Sequence, residues 1–145
     1  MKKISLLLLC ILFSYHYCTA QHLEDEKKFL LVVDFQADFE NDNATFYIED
    51  CLIFENVILV SNEIIGTTGE RVRIFENKEK QIIVEYKDKN TECNISKDKV
   101  QMKIILNGKR QDIVIDISKG IYIGLIKADD GKVYPFQSEF PFRYS

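Results

Sequence analysis

The dipeptide Asn107-Gly108 sits between two runs of alternating apolar residues. Val100, Met102, Ile104 and Leu106 precede it, and Ile113, Ile115 and Ile117 follow it. Asn and Gly tolerate the positive φ angles that a tight hairpin turn requires. Period-two alternation puts each apolar set on one face of a strand. This stretch is therefore predicted to form an antiparallel hairpin. A slip of one residue would turn the whole apolar set toward water, so the register is specified as well as the pairing. Gln101, Lys103 and Asp112 are expected on the water-facing side.

The same reading extends along the chain. Residues 29–36 form an apolar run that suits a strand buried on both faces. Residues 44–48 and 52–60 read as a second hairpin, broken by Glu49-Asp50. Arg71 to Glu76 alternates, and Ile82, Val84 and Tyr86 share the face of the next strand. Residues 87–99 read as a long polar loop holding Cys93. After Lys119-Gly120, residues 121–126 and 133–137 form a last hairpin around Asp129-Asp130-Gly131. The count is about nine strands with no long helix. The two prolines, Pro135 and Pro141, lie near the C-terminus. The expected fold is all-β, an antiparallel β-sandwich of immunoglobulin-like or Greek-key type. The resemblance to immunoglobulin-like domains is one of strand count only. The Cys51-to-Cys93 spacing is short for their inter-sheet bridge, and the chain has no Trp.

Export is the second constraint. Lys2 and Lys3 precede an apolar run from Ile4 to Phe13, and Ala20 supplies a small residue before Gln21. That order is the layout of a cleaved signal peptide. The run is too short to span a bilayer as a helix. The domain expectation is residues 1–20 as signal peptide and 21–145 as one β-sandwich domain, secreted or periplasmic, with no transmembrane segment after cleavage. Cleavage would leave 17 basic residues of the original 19 against 23 acids, a formal charge of −6. An acidic domain is a poor nucleic-acid partner, because phosphate contacts need clustered Lys and Arg. Cys10 and Cys18 would leave with the signal, so Cys51 and Cys93 are expected to form one disulfide. Asn43-Ala44-Thr45 and Asn94-Ile95-Ser96 match the glycosylation sequon, which matters only along a eukaryotic secretory route.

The side chains that usually carry catalysis are scarce. His16 lies in the signal and His22 beside the new N-terminus, so His-activated nucleophiles and the usual zinc ligand sets are not expected. A disulfide would occupy both remaining thiols. No cofactor is expected. A carboxylate pair is the residual route to catalysis and gives a carboxylate-dependent hydrolase as an alternative. Asp38, Glu40 and Asp42 alternate, with Glu49 twelfth in the count, and form a weak calcium candidate. Asn43 stands where that pattern wants Gly, so a solvated acidic turn is the competing expectation.

The C-terminal strip is the candidate binding surface. Tyr134, Phe136, Phe140, Phe142 and Tyr144 all fall on even numbers and share one face of an extended chain. Two readings stay open. The strip either stacks on a sugar or protein partner, or packs onto the domain as its last strand. The aggregation hazard of five exposed aromatics favours packing, with Phe142 behaving as core. The functional expectation is an exported, non-catalytic module that binds a protein or glycan surface. A structural envelope component with no small ligand is the remaining alternative.

Overall fold

The computed structural model describes residues 27–144 of the 145-residue chain. The expected signal peptide and its cleavage point lie outside the described residues. Among the described residues, ten strands form in chain order. They are β1 (Phe29–Phe35), β2 (Glu40–Ile48), β3 (Cys51–Val60), β4 (Arg71–Glu76), β5 (Ile82–Tyr86), β6 (Lys89–Glu92), β7 (Lys99–Leu106), β8 (Lys109–Asp116), β9 (Tyr122–Lys127) and β10 (Val133–Ser138). One sheet has the order β10-β9-β1-β4-β5-β6, the other β3-β2-β7-β8. The all-β expectation therefore holds. Among the described residues, no helix is long and apolar enough to cross a membrane.

The hairpin at Asn107-Gly108 forms in the expected register, with Met102 opposite Ile113 and Ile104 opposite Gln111. Both turn residues have positive φ, 51° and 80°. Val100, Met102, Ile104, Leu106, Ile113 and Ile115 are buried. Two details differ from expectation. Strand β8 stops at Asp116, whose carboxylate accepts from the Ser118 amide and opens a single 3₁₀ turn, Ile117–Lys119. Ile117 is thus half-buried on that turn rather than a strand residue. Lys103 is also half-buried, its ammonium 3.7 Å from the centre of the Tyr47 ring.

Two larger expectations are corrected. The six-stranded sheet is mixed, because β9 runs parallel to β1, with Val33 opposite Ile123. Apolar alternation reports which face a residue takes and not which way a strand runs. The 3₁₀ turn and Gly120 deliver β9 beside β1 in that direction. A Cβ at Gly120 would sit 2.4 Å from the Ser138 carbonyl, at φ 125°. Secondly, residues 87–99 are not one long loop. Lys89–Glu92 pairs with β5 as a short edge strand, which brings the count to ten. Its side chains are polar because it lies at an edge, so it carries no apolar signal. Strand β10 extends the sheet as its last strand, at the edge, in line with one of the two expected readings of the C-terminal strip. Pro135 fits there, since Pro cannot donate to a ladder.

Buried side chains from both sheets form a single hydrophobic cluster. At its centre Phe35 of β1 meets Phe46 of β2 and Phe54 of β3, with ring centroids 5.1 and 5.4 Å apart. Phe54 in turn lies 5.0 Å from Tyr86 of β5. Aromatic packing thus ties one sheet to the other. The sheet edges are tied as well. The Cys51–Cys93 disulfide joins the start of β3 to the residue after β6. Across the opposite margin, Gln111 of β8 accepts from the Val133 amide at 2.8 Å and donates to the Val133 carbonyl. Gln137 of β10 donates to the carbonyls of Asp116 and Gly120, at 2.6 and 2.7 Å. A side-chain amide has the same donor and acceptor as a peptide group, so these glutamines satisfy backbone groups where the ladder stops.

Candidate functional site

Strand β10 places its side chains by alternation. Val133 enters the core, while Tyr134 and Phe136 point to the opposite face of the sheet. They are 49% and 57% exposed, and Phe140 just beyond the strand is 74% exposed. The expectation that these aromatics pack into the core is therefore corrected. The strip joins the sheet, but its register with β9 sets Tyr134 and Phe136 on the side of Ile126 and Gly124, away from the second sheet. Phe142 does not behave as core either. It is half-buried, its ring 5.9 Å from that of Phe136.

The tail reaches this face because it turns after the strand. Ser138 Oγ accepts from the Phe140 amide and donates to the Phe140 carbonyl, at 3.0 and 2.9 Å. Tyr144 comes to rest over the sheet, where its hydroxyl accepts from Gln36 Nε2 at 3.0 Å. Gln36 has room because Gly124 lies beneath it. A Cβ at Gly124 would fall 2.4 Å from the Gln36 carboxamide. Next to it, Asp34 takes two bonds from Arg71, Nε at 2.5 Å and Nη2 at 3.1 Å. Asp34 holds the Arg71 guanidinium above its ordinary pKa, despite partial burial. Burial raises the Tyr144 phenol, and the neighbouring Asp34 raises it further. Arg71 thus stays charged and Tyr144 stays protonated throughout the physiological range. Phe136, Phe142 and Tyr144 come together around this polar base, while Tyr134 stands apart and donates to Asp130 Oδ2 at 3.1 Å.

Sequence reasoning missed Asp34, Gln36, Arg71 and Gly124. A usable signal was present in Asp34. A charge inside an apolar strand needs a buried partner, and that partner marks the neighbouring strand. Gly124 between Ile123 and Leu125 is a second signal, since a strand glycine marks a close approach.

The acidic stretch has a different role from the one sought. Asp38 and Glu40 are exposed, and Asp38 and Asn41 take positive φ. Asp42 is buried and fully engaged. It accepts from Asn107 Nδ2 at 2.7 Å, from the Glu40 amide at 2.7 Å and from Lys127 Nζ at 2.8 Å. Glu49 is spent on the turn, where Oε1 accepts from the Gln101 amide. Among the described residues, no group of three or more His, Cys, Asp or Glu could hold a metal ion. The two buried carboxylates each face a cation, Asp34 on Arg71 and Asp42 on Lys127.

Asp42 also gives a pH prediction. Burial alone would raise its pKa, but the bonds from Lys127, the Glu40 amide and Asn107 outweigh it and hold the carboxyl below its ordinary value. A lowered folded-state value means stability that is present above the unfolded value, about pH 4, and lost as the pH falls through the folded one. Asp42→Asn is expected to cost about 2 kcal/mol at pH 7. It should also flatten the acid limb of the stability curve. Urea titrations between pH 2 and 7 check both effects, and an acid limb unchanged in the variant would contradict this role.

No protein-family model matches the chain, and neither the curated proteins nor the solved structures give a significant match.

Proposed function

We propose that the chain is an exported, non-catalytic module, secreted or periplasmic, whose two sheets pack face to face as a β-sandwich. Its function is to bind a protein or glycan surface through the aromatic face around β10. One observation carries this reading: Tyr134 and Phe136 stand exposed on an edge strand whose Val133 and Gln137 are pinned, and Phe140 stands exposed just beyond it. Exposed aromatics carry a cost in solubility, and rigid aromatic side chains supply large contact area with little loss of conformational freedom. Phe142 lies against Phe136, and Tyr144 rests on Gln36 beside the ion pair of Asp34 with Arg71. The single hydrophobic cluster shared by both sheets supports the sandwich arrangement.

The test is binding. The exported protein is screened on a glycan array and by cross-linking to surface proteins of its own cells, each beside a Phe136→Ala/Phe140→Ala variant. Ligands that the double variant loses at least tenfold support the reading. Retention of every ligand by the double variant would sink it.

A further inference from the structure

A second surface has the opposite charge to the molecule as a whole. The chain carries a formal charge of −4. Where β1 begins and β4 ends, a recess of about 660 Å³ opens, within the range of pockets that hold small ligands. Among the described residues, five lysines line it, Lys27, Lys28, Lys78, Lys80 and Lys97, against two acids, Glu76 and Glu79. They come from three separate stretches: the approach to β1, the β4–β5 turn and the loop before β7. Leu30 and Phe75 supply an apolar base. The Lys27 ammonium lies 4.7 Å from the Phe75 ring centre, and Phe29 packs edge-on against that ring.

Among the described residues, Glu76 and Glu85 each receive two cations. Glu76 receives both Lys80, at 3.1 Å, and Lys97. Glu85, beside the recess, receives both Lys27 and Arg73, at 2.8 and 2.9 Å. The paired lysines are well exposed, Lys80 by 82% and Lys97 by 61%. Exposed pairs of this kind hold weakly. Their ammoniums can therefore turn toward an incoming anion with little loss. The depressed pKa values of Glu76 and Glu85, set first by Lys97 and Lys27, agree with a positive local field.

We propose that this recess binds an acidic glycan. Its sulfate or carboxylate groups meet the lysine ammoniums, and the C–H face of a sugar ring rests on Leu30 beside Phe75. Three observations favour this chemistry. The cations are lysines, compact and strongly hydrated, which suit spaced anionic groups more than the paired geometry a guanidinium reads. Phe75 is only 7% exposed, so no aromatic platform is offered to a nucleic-acid base. At Phe75, β4 is already paired on both sides, with Phe29 and with Ile83, so an extended peptide finds no strand edge there. The site is separate from the aromatic face, and its test is independent of that reading.

The test uses calorimetry on the exported protein at 150 mM salt. The probes are a heparin hexasaccharide and a polyglutamate of equal charge. The lysine variant is Lys28→Gln/Lys80→Gln/Lys97→Gln. Its control removes the same charge elsewhere, as Lys109→Gln/Lys119→Gln/Lys132→Gln. The hexasaccharide is expected to bind, to weaken at least tenfold with the recess variant, and to stay within twofold with the control. Phe136→Ala should leave this binding unchanged. Where the triple variant loses its thermal transition, Lys28→Gln alone, at an exposed position, should weaken binding at least threefold. No hexasaccharide binding, an equal loss in the control, or equally tight binding of polyglutamate would overturn the proposal.

Discussion

Phe35→Ala is expected to destabilise the fold by about 3–5 kcal/mol, the range for emptying a buried aromatic site. Phe35 is fully buried, and its ring contacts Phe39, Phe46 and Phe54 at centroid distances of 6.1, 5.1 and 5.4 Å. It sits on β1, an interior strand of the six-stranded sheet, and two of its three aromatic partners lie on the four-stranded sheet. The loss would fall on the contact between the sheets. The carbonyl of Phe35 also accepts from the Thr68 amide at 2.9 Å and from the Thr68 hydroxyl at 2.8 Å, and the mutation leaves both bonds in place. The expected deficit is therefore one of packing. Denaturant unfolding of the variant beside the parent measures it, and a deficit below 1 kcal/mol would show that the aromatic cluster does not hold the sheets together.

The second large effect is expected from the disulfide. Cys51 and Cys93 are 42 residues apart in sequence, and closing a loop of that length restricts the unfolded chain by about 4 kcal/mol on the chain-entropy model. Between these cysteines lie β3, β4, β5 and β6, so the bond clips together strands from both sheets. Cys51→Ala/Cys93→Ala should unfold about 4 kcal/mol more easily than the oxidised parent. The reduced parent should resemble the variant. Equal stability of the variant and the oxidised parent would contradict the placement of the bond.

What the sequence made legible was whatever burial imposes on alternation. The hairpin at Asn107-Gly108, the pairing of β2 with β3, and the core faces of β4 and β5 all follow from apolar period. The cysteine pair followed from counting. Strand direction did not, since Ile123 and Leu125 alternate equally well in a parallel or an antiparallel neighbour of β1. Strand β6 escaped because an edge strand with two solvated faces keeps no apolar period. The period of the aromatic strip put its members on one face but could not say which face is buried, and the hazard of exposing five aromatics tipped the expectation toward core. Val133 decided it. As the odd-numbered member it took the core face and sent Tyr134 and Phe136 outward. The Asp42 network was hidden for a different reason. Lys127 and Asn107 lie 85 and 65 residues from it in sequence, and nothing local ties them together.

The central claim is that the aromatic face around β10 is a working surface and not part of what holds the fold. Thermal unfolding of Phe136→Ala/Phe140→Ala beside Ile104→Ala tests it directly. Ile104 is fully buried and should lose about 2–5 kcal/mol. The double variant should melt within about 0.5 kcal/mol of the parent, as exposed substitutions do, while losing the partner that the parent binds. A double variant as destabilised as Ile104→Ala, with partner binding intact, would contradict the account.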